Sequence, residues 1–193
     1  MWSEIRHSLL GDESVSSLVC VHCDELQAEY WRRDASGGWN LDSTGSAFIG
    51  KNGLGKVVEG DLKTPEGEFR ALMAFGVGPD PGTALPYLAL KDTTIACDSD
   101  CEYYNRIVDM SLIPAVDSTG RAVSGERMAS IMPEYEYGIV LDYNRENVYP
   151  IGSAIFFHCK GRNAWTGGCV AVDRDFIERV LRTCGPGLVF CIH

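Results

Sequence analysis

The sequence predicts a mainly β domain with minor α. Three observations carry that prediction. Glycine and proline, 21 and 8 of them in 193 residues, punctuate the chain at short intervals. Between them lie β-branched and aromatic runs of strand length. One stretch alone, after residue 173, has a full helix pattern with start and stop signals. A hydrophobic content of 45% with 23% charged residues is ordinary globular composition. The length suits one domain with a sizeable core, expected over residues 15–193, with residues 1–14, polar and aperiodic, as a tail or leader remnant.

Ser17 to Cys23 reads as a strand, and the alternation in Leu26 to Arg32 suits a second strand with one buried face. Asp34-Ala35-Ser36-Gly37-Gly38 turns the chain, and Gly38 to Asp42 continues an antiparallel meander. From Ala47 the glycine spacing tightens, and Lys63-Thr64-Pro65-Glu66-Gly67 forms a turn before a strand over Glu68 to Leu72. Residues 76–106 read as loop-rich, and Ser124 to Ser130 as a helical turn or two. Tyr137 to Tyr143 and Ala154 to His158 are strand-length runs separated by a polar loop. Val170-Ala171-Val172 is a short strand, Asp173 an N-cap for a helix over Arg174 to Thr183, and Gly185 its stop. Leu188 to Ile192 is a further strand.

The formal charge is −10 and no basic cluster exceeds Arg32-Arg33, which argues against nucleic acid or another polyanion as partner. No stretch reaches the roughly 18 apolar residues of a membrane span. The opening MWSEIRHSLLGDESV lacks the apolar core of a secretory signal, which leaves a cytosolic protein or an export segment already removed.

The segment HCKGRNAWTGGCVAV places His158 and Cys169 eleven residues apart. A thiol attacks a carbonyl as thiolate, and its ordinary pKa near 8.5 leaves little of that form at neutral pH, so a nucleophilic cysteine needs a base beside it. His158 ends an apolar strand on the same face as Phe156, and the nine residues from Cys159 to Gly167 are enough to bring Cys169 back beside it. Gly167-Gly168 permits a tight turn whose N–H groups converge as an oxyanion hole. The competing reading is a packed cysteine behind a glycine turn and a hydrogen-bonded histidine at a strand end.

GSAIFFHCKGRNAWTGGCVAVDRDFIERVL resembles the catalytic segment of the L,D-transpeptidase (YkuD-like) family. There a strand ending in histidine precedes a loop, a Ser/Thr-x-Gly-Cys motif, a short apolar strand and a helix. GKNGLGKVVEGDLKTPEGEF, FGVGPDPGTALPY, YYNRIVD and YGIVLDYN are similar to further blocks of one branch of that family, in the same order, from about Phe48 to about Leu181. The resemblance implies a β-sandwich or barrel core with one helix following the nucleophile. It implies a cysteine-dependent acyltransferase that cross-links peptidoglycan stem peptides outside the cytoplasm, in the periplasm or cell wall, and requires no metal or other cofactor. Cys169 matches the acylated nucleophile and His158 its base. Gly168 and Gly167 match the oxyanion loop, and Thr166 the hydroxyl that holds it.

Trp165 and Arg162 are expected as substrate contacts. Two positions depart from the common family pattern: Gly167 stands where many members have histidine, and Ala171 where they have an arginine that pairs with a substrate carboxylate. Arg162 or Lys160 in the intervening loop could substitute, although exposed basic residues in loops are more often merely solvated. The rival readings are a non-catalytic cell-wall binding module and a thiol hydrolase on the same scaffold.

Eight cysteines invite a structural reading as well. Cys20, Cys23, Cys97 and Cys101 offer four thiolates to zinc, but three residues along a strand send Cys20 and Cys23 to opposite faces, about 10 Å apart. Cys97 with Cys101, and Cys184 with Cys191 across Gly185-Pro186-Gly187, are the pairs whose spacing permits disulfides in an oxidising compartment. Asp98-Ser99-Asp100 reads as a solvated acidic turn, and His22 and His193 have no evident partner.

Overall fold

The computed structural model describes residues 7–193, with side chains from Leu9 onward. A short helix, α1 (His7–Gly11), leads into β1 (Ser17–His22), β2 (Gln27–Arg33) and β3 (Trp39–Phe48). β4 (Gly67–Gly76) and β5 (Tyr87–Ala89) follow, then β6 (Thr94–Cys97), β7 (Ile107–Asp109) and β8 (Gly125–Arg127). β9 (Gly138–Leu141), β10 (Phe156–Cys159), β11 (Val170–Val172), α2 (Arg174–Thr183) and β12 (Leu188–Ile192) complete the described chain.

Nine strands form one sheet in the order β12-β1-β2-β3-β11-β10-β9-β4-β5, and β12 also pairs with β4, which closes the sheet into a barrel. β6, flanked by β7 and β8, makes a separate three-stranded sheet. The protein is therefore mainly β with minor α. The pairing is mixed rather than purely antiparallel, because β1 with β12, β10 with β11 and β4 with β5 run parallel. Several boundaries differ from the sequence expectations: the loop-rich residues 76–106 contain β5 and β6, β7 follows them, β3 runs on to Phe48 and β4 to Gly76, and Gly125–Arg127 is a strand, with only Met128–Ser130 helical.

Alternation along β1 sends Val19 and Val21 into the main core, with Tyr30, Ile139, Phe157, Val172 and Phe190. Leu18 and Cys20 face outward into a second cluster with Trp31, Val189 and Cys191. An apolar outer face needs a cover. Leu9 and Val15 supply it: residues 7–11, expected as part of a tail, form α1 and lay Leu9 onto that face. α2 buries Phe176, Ile177, Val180 and Leu181 in the main core. Asp173 precedes α2 as expected but does not cap it with its side chain. Its carboxylate accepts from Lys160 Nζ at 3.0 Å and from Ser46 Oγ at 3.2 Å.

The cysteines resolve into distinct environments. Cys20 and Cys23 lie in different core clusters, Cys97 and Cys101 in a third on the small sheet, so the four-thiolate reading does not hold. Cys191 lies beside Cys20 in the β1–β12 register, whereas the Cys184 thiol meets Thr83 Oγ1 at 3.7 Å, so Cys184 and Cys191 are not a pair. Cys97 and Cys101 do approach, at 3.3 Å between sulfurs, as free thiols. His22 and His193 are partners of each other, His193 Nε2 lying 3.1 Å from His22 Nδ1.

Candidate active site

β10 and β11 run parallel with Phe157 opposite Val170 and His158 opposite Ala171. Cys169, one residue before β11, falls opposite Phe156, whose N–H donates to the Cys169 Sγ at 3.3 Å. In a strand pair, Cys169 and His158 therefore lie on one face, one diagonal step apart. Both line a cavity of about 230 Å³ whose walls also include Lys56, Glu59, Asp98, Glu126, Glu134 and Ala171. The sequence prediction that these two residues share a face is met.

The imidazole is held by its Nδ1, 2.7 Å from the Cys159 carbonyl oxygen. A carbonyl only accepts, so Nδ1 carries the hydrogen and Nε2 is left with a lone pair. This is the orienting acceptor that the sequence does not reveal. His158 is buried, packs edge-on against Tyr135 at 5.5 Å, and has its pKa lowered by that burial, against the Cys159 carbonyl and Glu134. The imidazole is thus neutral at physiological pH.

The thiol donates to the Ala154 carbonyl at 3.2 Å. Burial pushes it up to about 12, against the Phe156 N–H and the Lys56 charge, which pull it down. The resting pair is neutral thiol and neutral base. Ala154 sits at φ 52°, the left-handed region a β-carbon disfavours, and its N–H is held by Asn105 Oδ1 at 3.0 Å. That conformation turns its carbonyl toward the sulfur.

The loop that carries Cys169 is fixed by two buried threonines from distant parts of the chain. Thr166 Oγ1 donates to the Cys169 carbonyl at 2.6 Å and accepts the Gly168 N–H at 3.1 Å. Thr64 Oγ1 reaches the same carbonyl at 3.4 Å and accepts the Gly50 N–H at 2.8 Å. Thr166 therefore holds the loop as expected, and Thr64, read from sequence only as part of a turn, joins it. Gly168 has φ 147°, and a β-carbon there would meet the Lys63 carbonyl oxygen at 2.8 Å, so glycine is required. Because its N–H is engaged by Thr166, Gly168 is not a free oxyanion donor, which corrects the expectation that both glycines donate. Among the described residues the N–H groups of Gly167 and Cys169 donate to no acceptor. Gly167 has open space where a β-carbon would stand.

Of the expected contacts, Trp165 lines the cavity and lies under the Lys51 ammonium, 5.0 Å from its ring centroid. Arg162 is not among the lining residues. Lys160 is turned away, bonded to Asp173 and packed 4.7 Å from the Phe48 ring centroid. Neither substitutes for an arginine at position 171. Among the described residues the one lysine or arginine in the cavity wall is Lys56, which the sequence does not single out. Asp98, expected in a solvated turn, faces the same cavity with its pKa raised by burial and by Glu59. Glu126, raised by burial and by Asp98, accepts from Tyr135 Oη at 2.7 Å.

No family model and no curated protein matches the chain. Solved structures do. The helical cell shape determining protein Pgp2 from Campylobacter jejuni aligns with a TM-score of 0.50 at 16% identity, over 96% of this chain and 53% of that one. A mutant of the same protein gives 0.52 at 17%, over 96% and 52%. An L,D-transpeptidase from Mycobacterium smegmatis gives 0.46 at 12%, over 92% and 58%. The likeness to Pgp2 shows a shared fold, and the chain spans about half the length of these proteins.

Proposed function

We propose that the chain is a cysteine L,D-transpeptidase, working outside the cytoplasm on peptidoglycan stem peptides. The observation that carries this reading is the placement of Cys169 and a single-tautomer His158 on one face of one cavity. Substrate entry draws the thiol off the Ala154 carbonyl, and His158 Nε2 takes its proton as the sulfur attacks the carbonyl carbon before the terminal D-residue. The bond from sulfur to carbon forms and the carbonyl oxygen becomes an oxyanion, received by the Gly167 and Cys169 N–H groups. The carbon–nitrogen bond then breaks, His158 returns the proton to the departing amine, and a thioester remains on Cys169. An amine of a second stem peptide attacks the thioester and gives its proton to His158, the carbon–sulfur bond breaks, and His158 returns the proton to the departing sulfur, leaving a new cross-link and a free thiol. The pair is neutral at rest, so proton transfer accompanies attack.

Intact-mass analysis after exposure to a carbapenem tests the proposal. One adduct on Cys169 is expected, whereas a protein that stays unmodified is a binding module. Incubation with tetrapeptide stems, with products resolved by mass, separates cross-linked dimers from hydrolysed tripeptide, the product of a carboxypeptidase on the same scaffold.

A further inference from the structure

Lys56 carries a buried charge that the mechanism above leaves unused. Its side chain is 2% exposed, yet it reaches the cavity that holds Cys169. The stem passes Gly152, where a β-carbon would collide with Lys56 Cε, and the ammonium ends 3.6 Å from the point a β-carbon on Gly168 would occupy. An ammonium has three N–H donors. Asp61 Oδ1 at 3.0 Å takes one and the Val58 carbonyl at 3.4 Å a second. Among the described residues no third acceptor is within reach.

Asp61 is itself fixed. Burial works against its ionisation, but the N–H groups of Val57, Lys63 and Val58 and the Lys56 ammonium hold its carboxyl well below the usual range. The ammonium is therefore immobile, and its remaining donor opens beside the loop that carries the nucleophile. A buried charged donor without a partner is costly unless a ligand supplies one. The other charged groups in the wall, Glu59, Asp98, Glu126 and Glu134, are carboxylates and repel an anion. Among the described residues Lys56 is the one cationic side chain in the wall that can receive it.

We propose that Lys56 is a substrate-binding residue whose third N–H takes an anionic oxygen of the donor peptide beside Gly168. This inference rests on the acyl-transfer reading. Two oxygens have the required chemistry: the carboxylate of the departing residue, charged before reaction, and the tetrahedral oxygen, charged only during it.

The test compares wild type with Lys56→Met in three reactions at Cys169: acylation by a carbapenem, acylation by the same carbapenem as its neutral carboxylate ester, and alkylation by iodoacetamide. Loss of one charge-assisted hydrogen bond is expected to slow the free-acid carbapenem by about 10-fold or more. Iodoacetamide alkylation, which reads only the effect of the Lys56 charge on the thiol, is expected to slow less than the free-acid carbapenem. An unchanged ester rate assigns the bond to the carboxylate, and a slowed ester rate assigns it to the tetrahedral oxygen. Lys56→Arg should restore part of the lost rate. The double variant Lys56→Met/Asp61→Asn removes the ion pair as a unit and should repeat the pattern if the single variant folds poorly. Equal slowing of all three reactions would place Lys56 on the thiol instead and overturn the proposal, as would no slowing of the free acid. Absence of any carbapenem adduct on wild type, with iodoacetamide still modifying Cys169, removes the acyl-transfer reading, and this inference falls with it.

Discussion

The seam that closes the barrel and the cavity that holds Cys169 are built on opposite principles. At the seam, β12 lies between β1 and β4, and all five of its residues are buried. Apolar burial and ladder hydrogen bonds dominate there, with the Cys20 and Cys191 thiols meeting side by side. Around the cavity the backbone leaves regular strands at residues 49–64, 152–155 and 160–169, and polar groups there are satisfied by side chains: Thr64, Thr166, Asn105 and Asp61. A strand is specified by its own residues, whereas a loop of this kind is specified by residues far away in the chain. Changes at the seam should thus act on stability alone, and changes at the cavity on chemistry first.

Cys169→Ala marks the extreme of that division. It should abolish the carbapenem adduct completely while the thermal midpoint stays close to wild type, and a persisting adduct would move the nucleophile elsewhere. At the seam, Phe190→Ala should cost about 3–5 kcal/mol of stability by denaturant titration. The acylation rate per folded molecule should be unchanged, and a rate that falls with stability would erase the contrast. His158→Ala should slow acylation by about 100-fold, a little under 3 kcal/mol. Because burial lowers the His158 pKa from 6.5, the neutral base persists below that value. The wild-type acylation rate should therefore hold as pH falls through 6.5 and drop only in more acidic solution; a midpoint at or above 6.5 counts against a buried neutral imidazole.

Thr166→Val lies between the two regimes. It leaves the Gly168 N–H without a partner and removes one of two donors from the Cys169 carbonyl, so about 1–3 kcal/mol of stability should go, with a fall in rate. Stability loss without a rate effect would show that the loop geometry does not matter to the thiol. Gly167→His is the smallest expected change, within about 0.5 kcal/mol, because the side chain would enter open space. A larger cost would mean that the neighbouring loop closes over position 167.

The strands were legible because their signal is local. Val, Ile, Phe and Cys runs such as Leu188 to Ile192 state their own burial, and the alternation around His158 places it on the face of Cys169. The helix after Asp173 was legible for the same reason, although its N-cap side chain serves Lys160 instead. What escaped is convergence. Nothing in a glycine-rich loop marks Lys56 as buried or Asp61 as its clamp, because each residue type is ordinarily solvated. Ala154 gives no sign of a left-handed backbone, which sequence reading reserves for glycine, asparagine and aspartate. His22 and His193 meet only because β1 and the residue after β12 lie side by side. The apolar outer face of β1 was the one missed clue that the sequence did contain: Leu18 and Cys20 alternate with Val19 and Val21, so both faces required cover, and α1 provides it.

The position of β12 has a consequence for how the molecule reaches its shape. The strand that completes two ladders at once is synthesised after every other strand of the barrel. Until Leu188 to Ile192 emerge, β1 and β4 each present an unpaired edge, the feature through which nascent chains join to one another. A chain interrupted before Leu188 would expose two adhesive margins at once, so integrity of those five residues governs whether the barrel closes or its open edges are left to pair with other chains.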